Sequence, residues 1–389
     1  YVLQTNNRNY IKGPLMDKVR TAAGNGLFTS EGDFWRRQRR LMQPGFHRQR
    51  IATFGGIMVE ETDALILDWS TRTAPFTLDN DMTRLALRIV ARALFTTSLT
   101  EADLVIVRET ITPLLEEINR RARRPFSLRE RLPLPENRAF DDNLTRIDAL
   151  IHHIITTRRN ADETYDDLLQ MLIDIVDEDT GERMTDAQLR DEVITLFVAG
   201  HETTATALTW VFKLLADHPD VLARLQAEVD SVLGQRPPTA ADYPNLPYTL
   251  AVFEETMRLY PPLRGIVRYA LKDDVVGGYP VPAGSNVIVP LYALHRHPDF
   301  WPDPETFDPT RFLPEQSAGR HRFAYLPFGM GPRFCIGAPF ARLEATLALA
   351  RITQQVTVDP VPGQVIGMRG VGTLRPDPGV EVTIHPRRG

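Results

Sequence analysis

The sequence predicts a mainly α-helical protein with a small β portion in its last third. Two observations lead to this prediction. Apolar residues recur every three to four positions through the first two-thirds of the chain, which is helical spacing. From residue 261 onward, short β-like runs are separated by glycine and proline. No repeat or linker interrupts this order, so we expect one continuous domain over residues 1–389.

The helices of the first half are predicted from apolar spacing and from the residues that stop them. The first covers 31–42 and ends at Pro44-Gly45, which do not continue a helix. Helical spacing then predicts helices over 51–69, 82–96, 102–119 and 140–157.

The longest predicted helix begins at Thr185 and ends near Asp217. Thr185 and Gln188, three positions later, match a capping box at its N-terminus. At about 1.5 Å per residue, this helix is long enough to cross a whole domain. Two shorter helices follow over 219–233 and 248–259, each ended by glycine or proline.

The last third alternates short strands with long ordered loops. The predicted elements are strands at 266–270, 275–276 and 286–290, a proline-rich stretch over 298–327, a final helix over 338–354, and closing strands at 356–358 and 380–384.

Composition limits the class of protein. Hydrophobic residues make up 43% and charged residues 24% of the chain, the balance of a soluble globular protein. A formal net charge of -5 argues against nucleic acid as a partner, because nucleic-acid-binding domains are usually basic. No apolar run approaches the roughly 20 residues of a membrane-spanning helix. The single cysteine, Cys335, rules out a disulfide within the chain and favours a reducing, cytoplasmic location.

Cys335 lies in a glycine-rich segment, Phe328-Gly-Met-Gly-Pro-Arg333-Phe-Cys335-Ile-Gly337, directly before the final helix. The glycines let the backbone turn sharply and approach a flat group closely. A helix N-terminus stabilises a thiolate, because its dipole and free N–H groups favour negative charge. The alternative is an inert buried cysteine. A dinucleotide-binding loop is excluded, because the required later glycine and strand-turn-helix unit are absent from this stretch of sequence.

This Phe-x-x-Gly-x-Arg-x-Cys-x-Gly pattern resembles the haem-binding loop of the cytochrome P-450 family. The resemblance implies that Cys335 is the axial ligand of the iron of heme b (iron protoporphyrin IX). It also implies that Arg333 contacts a haem propionate, that Phe328 packs near the sulfur, and that Gly337 belongs to the cofactor-binding loop. The implied fold holds the haem between a long distal helix and the proximal cysteine loop.

The segment Ala199-Gly-His-Glu-Thr-Thr204 interrupts the longest helix. Its glycine costs about 1 kcal/mol relative to alanine, a local conflict that indicates function. A zinc-protease motif is excluded, because position 205 is alanine instead of the second histidine. The segment resembles the oxygen-binding part of the same family. The resemblance implies that Thr203 and Glu202 deliver protons during cleavage of O2, the co-substrate. The alternative is a buried Thr203 bonded to a carbonyl and an exposed Glu202.

Further residues match the family at cofactor-binding and structural positions. Trp35 and Arg39 resemble a Trp-x-x-x-Arg helix, and Arg268 lies where many members carry another arginine, which implies that all three hold haem propionates. Glu255 and Arg258 resemble part of a structural glutamate–arginine–arginine cluster, although such a pair alone is usually solvated. We expect His295 to be structural.

The substrate is predicted to be lipophilic. The chain looks closest to the bacterial fatty-acid hydroxylases of the family, which implies a pocket lined by Phe28, Ala199 and Leu263 and a fatty acid or similar lipophile as substrate. The alternative for Phe28 is an ordinary core position.

Electrons are expected from a redox partner, a ferredoxin or a flavin reductase, either separate or fused. The family's first strands and first helix are expected before Tyr1, and no reductase module follows Gly389 in this sequence. Three arginines of the Trp35 helix are predicted to face solvent and to attract an acidic partner: Arg36, Arg37 and Arg40.

Together these features predict a haem-thiolate monooxygenase that inserts one oxygen atom from O2 into a C–H bond. A peroxide-using hydroxylase is the first alternative, but it would not need Glu202 and Thr203. A haem-binding sensor would consume no oxygen in response to substrate. A helical scaffold with an accidental cysteine would be colourless when purified.

Overall fold

A computed structural model of the chain describes residues 1–95, 100–122, 132 and 134–387. Helices predominate in these residues. The helices of the first half are α1 (Leu15–Ala23), α2 (Gly32–Met42), α3 (Arg48–Thr53), α4 (Gly55–Ser70), α5 (Leu78–Phe95), α6 (Glu101–Ala122) and α7 (Pro135–Arg159). Those of the second half are α8 (Leu168–Asp174), α9 (Asp186–Asp217), α10 (Pro219–Leu233), α11 (Pro247–Leu259), α12 (Leu291–Leu294), α13 (Pro314–Ser317) and α14 (Ala338–Gln355).

The strands are short and form small sheets. They are β1 (Tyr10–Ile11), β2 (Phe76–Thr77), β3 (Ile266–Ala270), β4 (Asp274–Val276), β5 (Tyr279–Val281), β6 (Asn286–Val289), β7 (Val356–Pro360), β8 (Gly367–Val371), β9 (Thr373–Asp377) and β10 (Glu381–Pro386). The sheet orders are β1-β3-β6, β2-β10-β7, β4-β5 and β8-β9. The predicted mainly α fold class with a small β portion is confirmed.

The predicted helices form close to their predicted bounds. At the start of α9, Thr185 and Gln188 exchange hydrogen bonds of 2.8 and 3.3 Å, which confirms the capping box. The stretch predicted over 51–69 is divided between α3 and α4. Position 96, the end of the helix predicted over 82–96, lies outside the described residues. Helices α1 and α8 and the β8–β9 hairpin were missed by the sequence patterns.

The chain divides into two compact units, each built from three segments. The first unit contains Tyr1–Gly45, Val90–Ala199 and Val267–Val287. The second contains Phe46–Ile89, Gly200–Ile266 and Ile288–Gly389. The boundaries fall inside α5 and inside α9, so single helices run from one unit into the other. The expectation of one domain over residues 1–389 stays a prediction.

The first unit is organised around α6, which packs against α1 and α7. Strand β1 pairs antiparallel with β3, with Tyr10 opposite Ala270. A buried ion pair joins Arg158 at the end of α7 to Asp167, with Nη1 2.8 Å from both carboxylate oxygens. Because both side chains are almost fully buried, this pairing offsets the cost of removing the two charges from water.

The second unit is organised around α14, whose residues Ala345–Ala350 are all buried. This helix packs against α4, α10 and α11. Strand β10 lies between β2 and β7 in an antiparallel sheet. The helix directly after Cys335 is therefore held on several sides by core contacts, which fixes the position of its N-terminus.

Among the described residues, no helix combines the length and the hydropathy that crossing a bilayer requires.

Candidate functional site

The segment around Cys335 forms a tight loop in the second unit. Gly329 and Gly331 have φ angles of 74° and 73°, in the left-handed region that favours glycine. The N–H of Cys335 donates to the carbonyl of Phe328 at 2.9 Å, and the N–H of Phe334 donates to the carbonyl of Gly331 at 3.0 Å. These bonds fold the loop back on itself and leave Cys335 exposed. The inert buried cysteine is therefore wrong for this chain.

The thiol of Cys335 lies at the start of α14. Gly337 is the N-cap of this helix, and an added Cβ at Gly337 would lie 4.0 Å from Cys335 Sγ. The sulfur is therefore close to the N-terminus of α14, where the helix dipole favours a thiolate. An accessible, helix-terminal thiol is a suitable ligand for haem iron.

The ring of Phe328 is held beside the loop by two neighbours. Its centroid lies 6.4 Å from that of Phe334, and the guanidinium of Arg342 lies 4.6 Å from the centroid of Phe328. Arg342 in turn forms an ion pair of 2.5 Å with Glu254, which also accepts a hydrogen bond of 2.6 Å from Tyr325. Local sequence patterns do not predict this support, because Glu254 and Arg342 are 88 positions apart.

The Glu255–Arg258 pair fixes the proline-rich stretch that leads to the cysteine loop. Arg258 is fully buried and makes hydrogen bonds of 2.7 and 2.8 Å to Glu255. It also donates to the carbonyls of His295, Pro304 and Thr306. The solvated pair is thus excluded. Burial raises the pKa of Glu255, and the hydrogen bonds and charge of Arg258 oppose this rise.

His295 has the structural position that we expected. It is fully buried, and its Nε2 accepts a hydrogen bond of 2.9 Å from the N–H of Leu326, two residues before Phe328. Burial lowers the pKa of His295 to about 3, so the ring is neutral at physiological pH. A neutral imidazole can accept this hydrogen bond. The bond joins the segment just before the cysteine loop, at Leu326, to the end of α12.

The segment of α9 predicted to bind oxygen combines exposed and buried side chains. Ala199, the last residue of the first unit, is exposed, although the seven residues before it include a buried run over 192–197. In the second unit Thr203 is half-buried. Glu202 is buried, with hydrogen-bonded and ionic contacts to Thr373 and Arg375. The alternative of an exposed Glu202 is therefore wrong.

The remaining predicted cofactor residues lie in the first unit. Trp35 and Arg39 are half-buried and one turn apart on α2. Arg268 on β3 is buried, and its guanidinium donates to the carbonyl of Val267 at 2.9 Å. Burial lowers the pKa of Arg268, although the charge of Glu31 opposes this effect. A buried guanidinium with so little compensation suits an anionic group such as a carboxylate.

The predicted pocket residues Phe28 and Leu263 are both exposed, by 44% and 42%. The ammonium of Lys12 lies 4.0 Å from the centre of the Phe28 ring, in the same unit. The alternative that Phe28 is a core residue is wrong. Contact of either side chain with substrate stays a prediction.

The predicted solvent-facing arginines of α2 are engaged in ion pairs. Arg37 and Arg40 both contact Asp177, at 2.6 and 2.9 Å, and Arg36 contacts Asp33. Additional carboxylates, Glu182 and Asp179, complete this network. The expectation of a free basic face is wrong for Arg37, which is largely covered, and the neighbouring carboxylates offset the charge of Arg40. Arg36 and Arg40 are exposed, as predicted. Docking of an acidic redox partner on these side chains stays a prediction.

The residues of the cysteine loop, all in the second unit, fit a haem. They are the accessible thiol of Cys335, the ring of Phe328, half-buried Arg333, and Gly337, which carries no side chain beside the sulfur. A soft sulfur ligand together with a guanidinium group suits an iron porphyrin, which carries two carboxylates.

Comparison with known proteins gives the family. A family model for cytochrome P450 matches residues 2–383. Cyclooctatin synthase of Streptomyces melanosporofaciens is 41% identical, over 97% of this chain and 80% of that protein. Pentalenene oxygenase of Streptomyces avermitilis is 39% identical, over 92% of this chain and 79% of that protein.

Solved structures agree with these sequence relationships. The crystal structure of the heme domain of cytochrome P450DA superimposes with a TM-score of 0.91 at 30% identity, covering 99% of this chain and 85% of that chain. We conclude from the matched family model, the named relatives and the shared fold that the chain is a monooxygenase that belongs to the cytochrome P450 family.

Proposed function

We propose that this chain inserts one oxygen atom from O2 into a C–H bond of a lipophilic substrate, with heme b bound through Cys335. The observation that supports this most directly is the accessible thiol held before α14 by the Phe328–Cys335 hydrogen bond. When bound, the haem supplies the redox chemistry, and the protein supplies ligation, orientation and proton transfer. Electrons would come from a ferredoxin or a flavin reductase, as is general in the family.

The proposed haem contacts follow the family resemblance residue by residue. Cys335 would hold the iron, Phe328 would pack near the sulfur, and Gly337 would permit close approach. Four side chains would contact the haem periphery and its propionates: Trp35, Arg39, Arg268 and Arg333.

Thr203 and Glu202 would supply protons on the oxygen side. Cleavage of dioxygen consumes protons, and an apolar pocket excludes the water that would otherwise provide them. Thr203 is half-buried and carries a hydroxyl that can donate a proton and accept one. Glu202, one residue earlier, is a carboxyl group that can take up and release a proton, and its partner Arg375 is half-exposed to solvent.

We infer that the substrate is a nonionic lipophile. The relatives include cyclooctat-9-en-7-ol 5-monooxygenase, at 38% identity, and pentalenene oxygenase. By these names, their substrates are an unsaturated alcohol and an unsaturated hydrocarbon. The exposed apolar side chains of Phe28 and Leu263 suit such compounds. A fatty acid is the second candidate, because the exposed guanidinium of Arg264 adjoins Leu263 and can pair with a carboxylate.

The spectrum of the reduced, carbon-monoxide-bound protein tests the haem assignment. We expect the red-shifted Soret band of thiolate ligation, and we expect Cys335→Ala to lose it. An unshifted band in folded wild-type protein would contradict the proposal. Spectral titration with a cyclic terpene hydrocarbon and with a fatty acid of equal carbon number then separates the two substrate classes.

Oxygen consumption separates the proposed reaction from its alternatives. With electrons supplied by a surrogate ferredoxin and reductase, a monooxygenase consumes O2 in response to substrate and forms product. A haem sensor forms no product, and a peroxide-using hydroxylase forms product only when peroxide is added.

A further inference from the structure

The β8–β9 hairpin contacts Glu202, the residue proposed to relay protons. Thr373 donates its hydroxyl to Glu202 Oε1 at 2.8 Å, and Arg375 Nη2 lies 2.8 Å from the same oxygen. Arg375 Nε also donates to Thr373 Oγ1 at 3.2 Å. The two hairpin side chains therefore contact each other as well as the carboxylate. All three residues belong to the second unit.

Burial makes these contacts important for Glu202. Its side chain is 10% exposed, whereas that of Arg375 is 40% exposed. Among the residues that the structure describes, Thr373 and Arg375 provide the polar contacts of this carboxylate. A charged carboxylate removed from water needs such partners, because desolvation otherwise disfavours the charged form. Arg375 is thus partly exposed to solvent while it pairs with a buried carboxylate.

The hairpin itself is fixed from two directions. Trp210 on α9, two turns after Glu202, donates its indole N–H to the carbonyl of Leu374 at 2.7 Å. The N–H of Leu374 donates to the carbonyl of Pro262 at 2.9 Å, and Leu263 is the next residue. Leu374 lies between Thr373 and Arg375 in sequence. The positions of the Thr373 and Arg375 side chains are therefore fixed by contacts of the hairpin with α9 and with Pro262, next to Leu263.

We propose that Thr373 and Arg375 are positioning residues that hold the Glu202 carboxylate for proton delivery. This inference rests on the proposed function. It assigns a role in proton delivery to the β8–β9 hairpin, which lies outside the sequence motif around Thr203. A carboxylate displaced from its position would transfer protons to the oxygen site more slowly. Electrons already delivered would then leave as hydrogen peroxide: O2, two electrons and two protons give H2O2 without oxidation of the substrate.

Matched variants of the holoenzyme test the proposal. Arg375→Gln and Thr373→Val remove the contacts to Glu202, and Arg375→Lys keeps the charge. The control is Arg369→Gln, because Arg369 is the exposed cross-strand neighbour of Arg375 in the same hairpin. We expect Arg375→Gln to lower product formation about tenfold, less than the roughly 10²-fold or more attributed to removing a general acid. Peroxide per electron should rise, and Arg375→Lys should restore part of the loss.

Substrate binding and the carbon-monoxide spectrum should be unchanged in these variants. We therefore expect kcat to fall and the dissociation constant of the substrate to stay the same. A merely structural hairpin would give the opposite pattern, with weaker substrate binding or a damaged spectrum and unaltered peroxide per electron. That pattern would overturn the proposal.

A double-mutant cycle gives a readout that is independent of turnover. Thermal unfolding of Glu202→Gln, Arg375→Gln and the double variant should be non-additive, because each substitution removes the same contact. Glu202→Gln with Arg369→Gln should be additive. Additive losses in both cycles would overturn the proposed positioning of Glu202 by Arg375. If Thr203→Ala also leaves peroxide release unchanged, the proposed proton delivery by Glu202 and Thr203 is wrong as well. If only the Arg375 variants leave peroxide release unchanged, the positioning role of Thr373 and Arg375 alone is wrong.

Discussion

At the scale of single residues, burial acts on carboxyl groups in different ways. Glu255 is buried beside Arg258, which compensates its charge. Among the residues that the structure describes, no cation pairs with Glu192 on α9. Its Oε2 accepts a hydrogen bond of 2.9 Å from the N–H of Leu27, and burial together with the charge of Asp191 raises the pKa of Glu192 to about 8. Glu192 is therefore mostly protonated at pH 7. It holds the loop before Phe28 as a neutral acid.

This protonation predicts a pH-dependent stability. Because the pKa of Glu192 is higher in the folded than in the unfolded chain, folding takes up a proton between about pH 5 and 8, and stability falls as pH rises through this window, by at most about 1.4 kcal/mol per pH unit. Glu192→Gln should remove this contribution. Its melting temperature relative to wild type should therefore rise from pH 5 to pH 8, as measured by calorimetry. The exposed Glu178→Gln is the control, and a parallel pH profile for both variants would disprove the assignment.

Thr203 gives a second prediction at this scale. Thr203→Ala should bind haem and substrate as the wild type does, because the substitution removes a hydroxyl from a half-buried position. It should release more peroxide per electron, because proton delivery loses a donor. Thr204→Ala is the neighbouring control. Equal peroxide yields in wild type and Thr203→Ala would show that Thr203 is a packing residue.

At the scale of elements, the segment that leads to the cysteine loop is held by one arginine. Arg258 bonds Glu255 and the carbonyls of three residues 37 to 48 positions later in the chain. Its removal deprives the buried Glu255 carboxylate of its two charged hydrogen bonds and leaves it with the more distant Arg311, whose Nε lies 3.5 Å from Oε1. Arg258→Met should therefore lower the free energy of unfolding by about 3–5 kcal/mol, measured by denaturant titration. The double variant Glu255→Leu/Arg258→Met should lose less than the sum of the two single variants. An additive loss would contradict this account.

The elements also show what sequence patterns can predict. The capping box of α9 and the glycine stop of α10 depend on neighbouring residues, and the sequence predicted both. The β8–β9 hairpin was missed because its first strand contains two glycines and lacks strand-like alternation. Its partners on α9 are more than 160 positions away. Contacts at such separations depend on tertiary packing, which local spacing does not encode.

The site follows the same rule. The sequence predicted Cys335, because its glycines and the helix after it form one continuous motif. The role of Glu202 was predicted from the family resemblance of the segment Ala199–Thr204, which lies within the continuous helix α9. The supporting residues Arg342 and Arg375 were missed, because each acts through a residue on another element.

At the scale of the whole molecule, the two compact units share continuous helices. The boundary between Ile89 and Val90 lies inside α5, and that between Ala199 and Gly200 lies inside α9. Unfolding of one unit would break helical hydrogen bonds that continue into the other. We therefore expect a single calorimetric transition for the haem-loaded chain, with equal calorimetric and van't Hoff enthalpies. Two resolved transitions would show that the units unfold independently.

The accessible position of Cys335 also has a practical consequence. Because the chain has no other cysteine, a thiol-reactive fluorophore has one possible attachment point, and ligation of this sulfur would protect it from the reagent. The fraction of chains that resist labelling would then report how many carry the cofactor. A preparation could be graded in this way before any turnover assay, and cysteines introduced elsewhere could be labelled selectively in the protected, loaded protein.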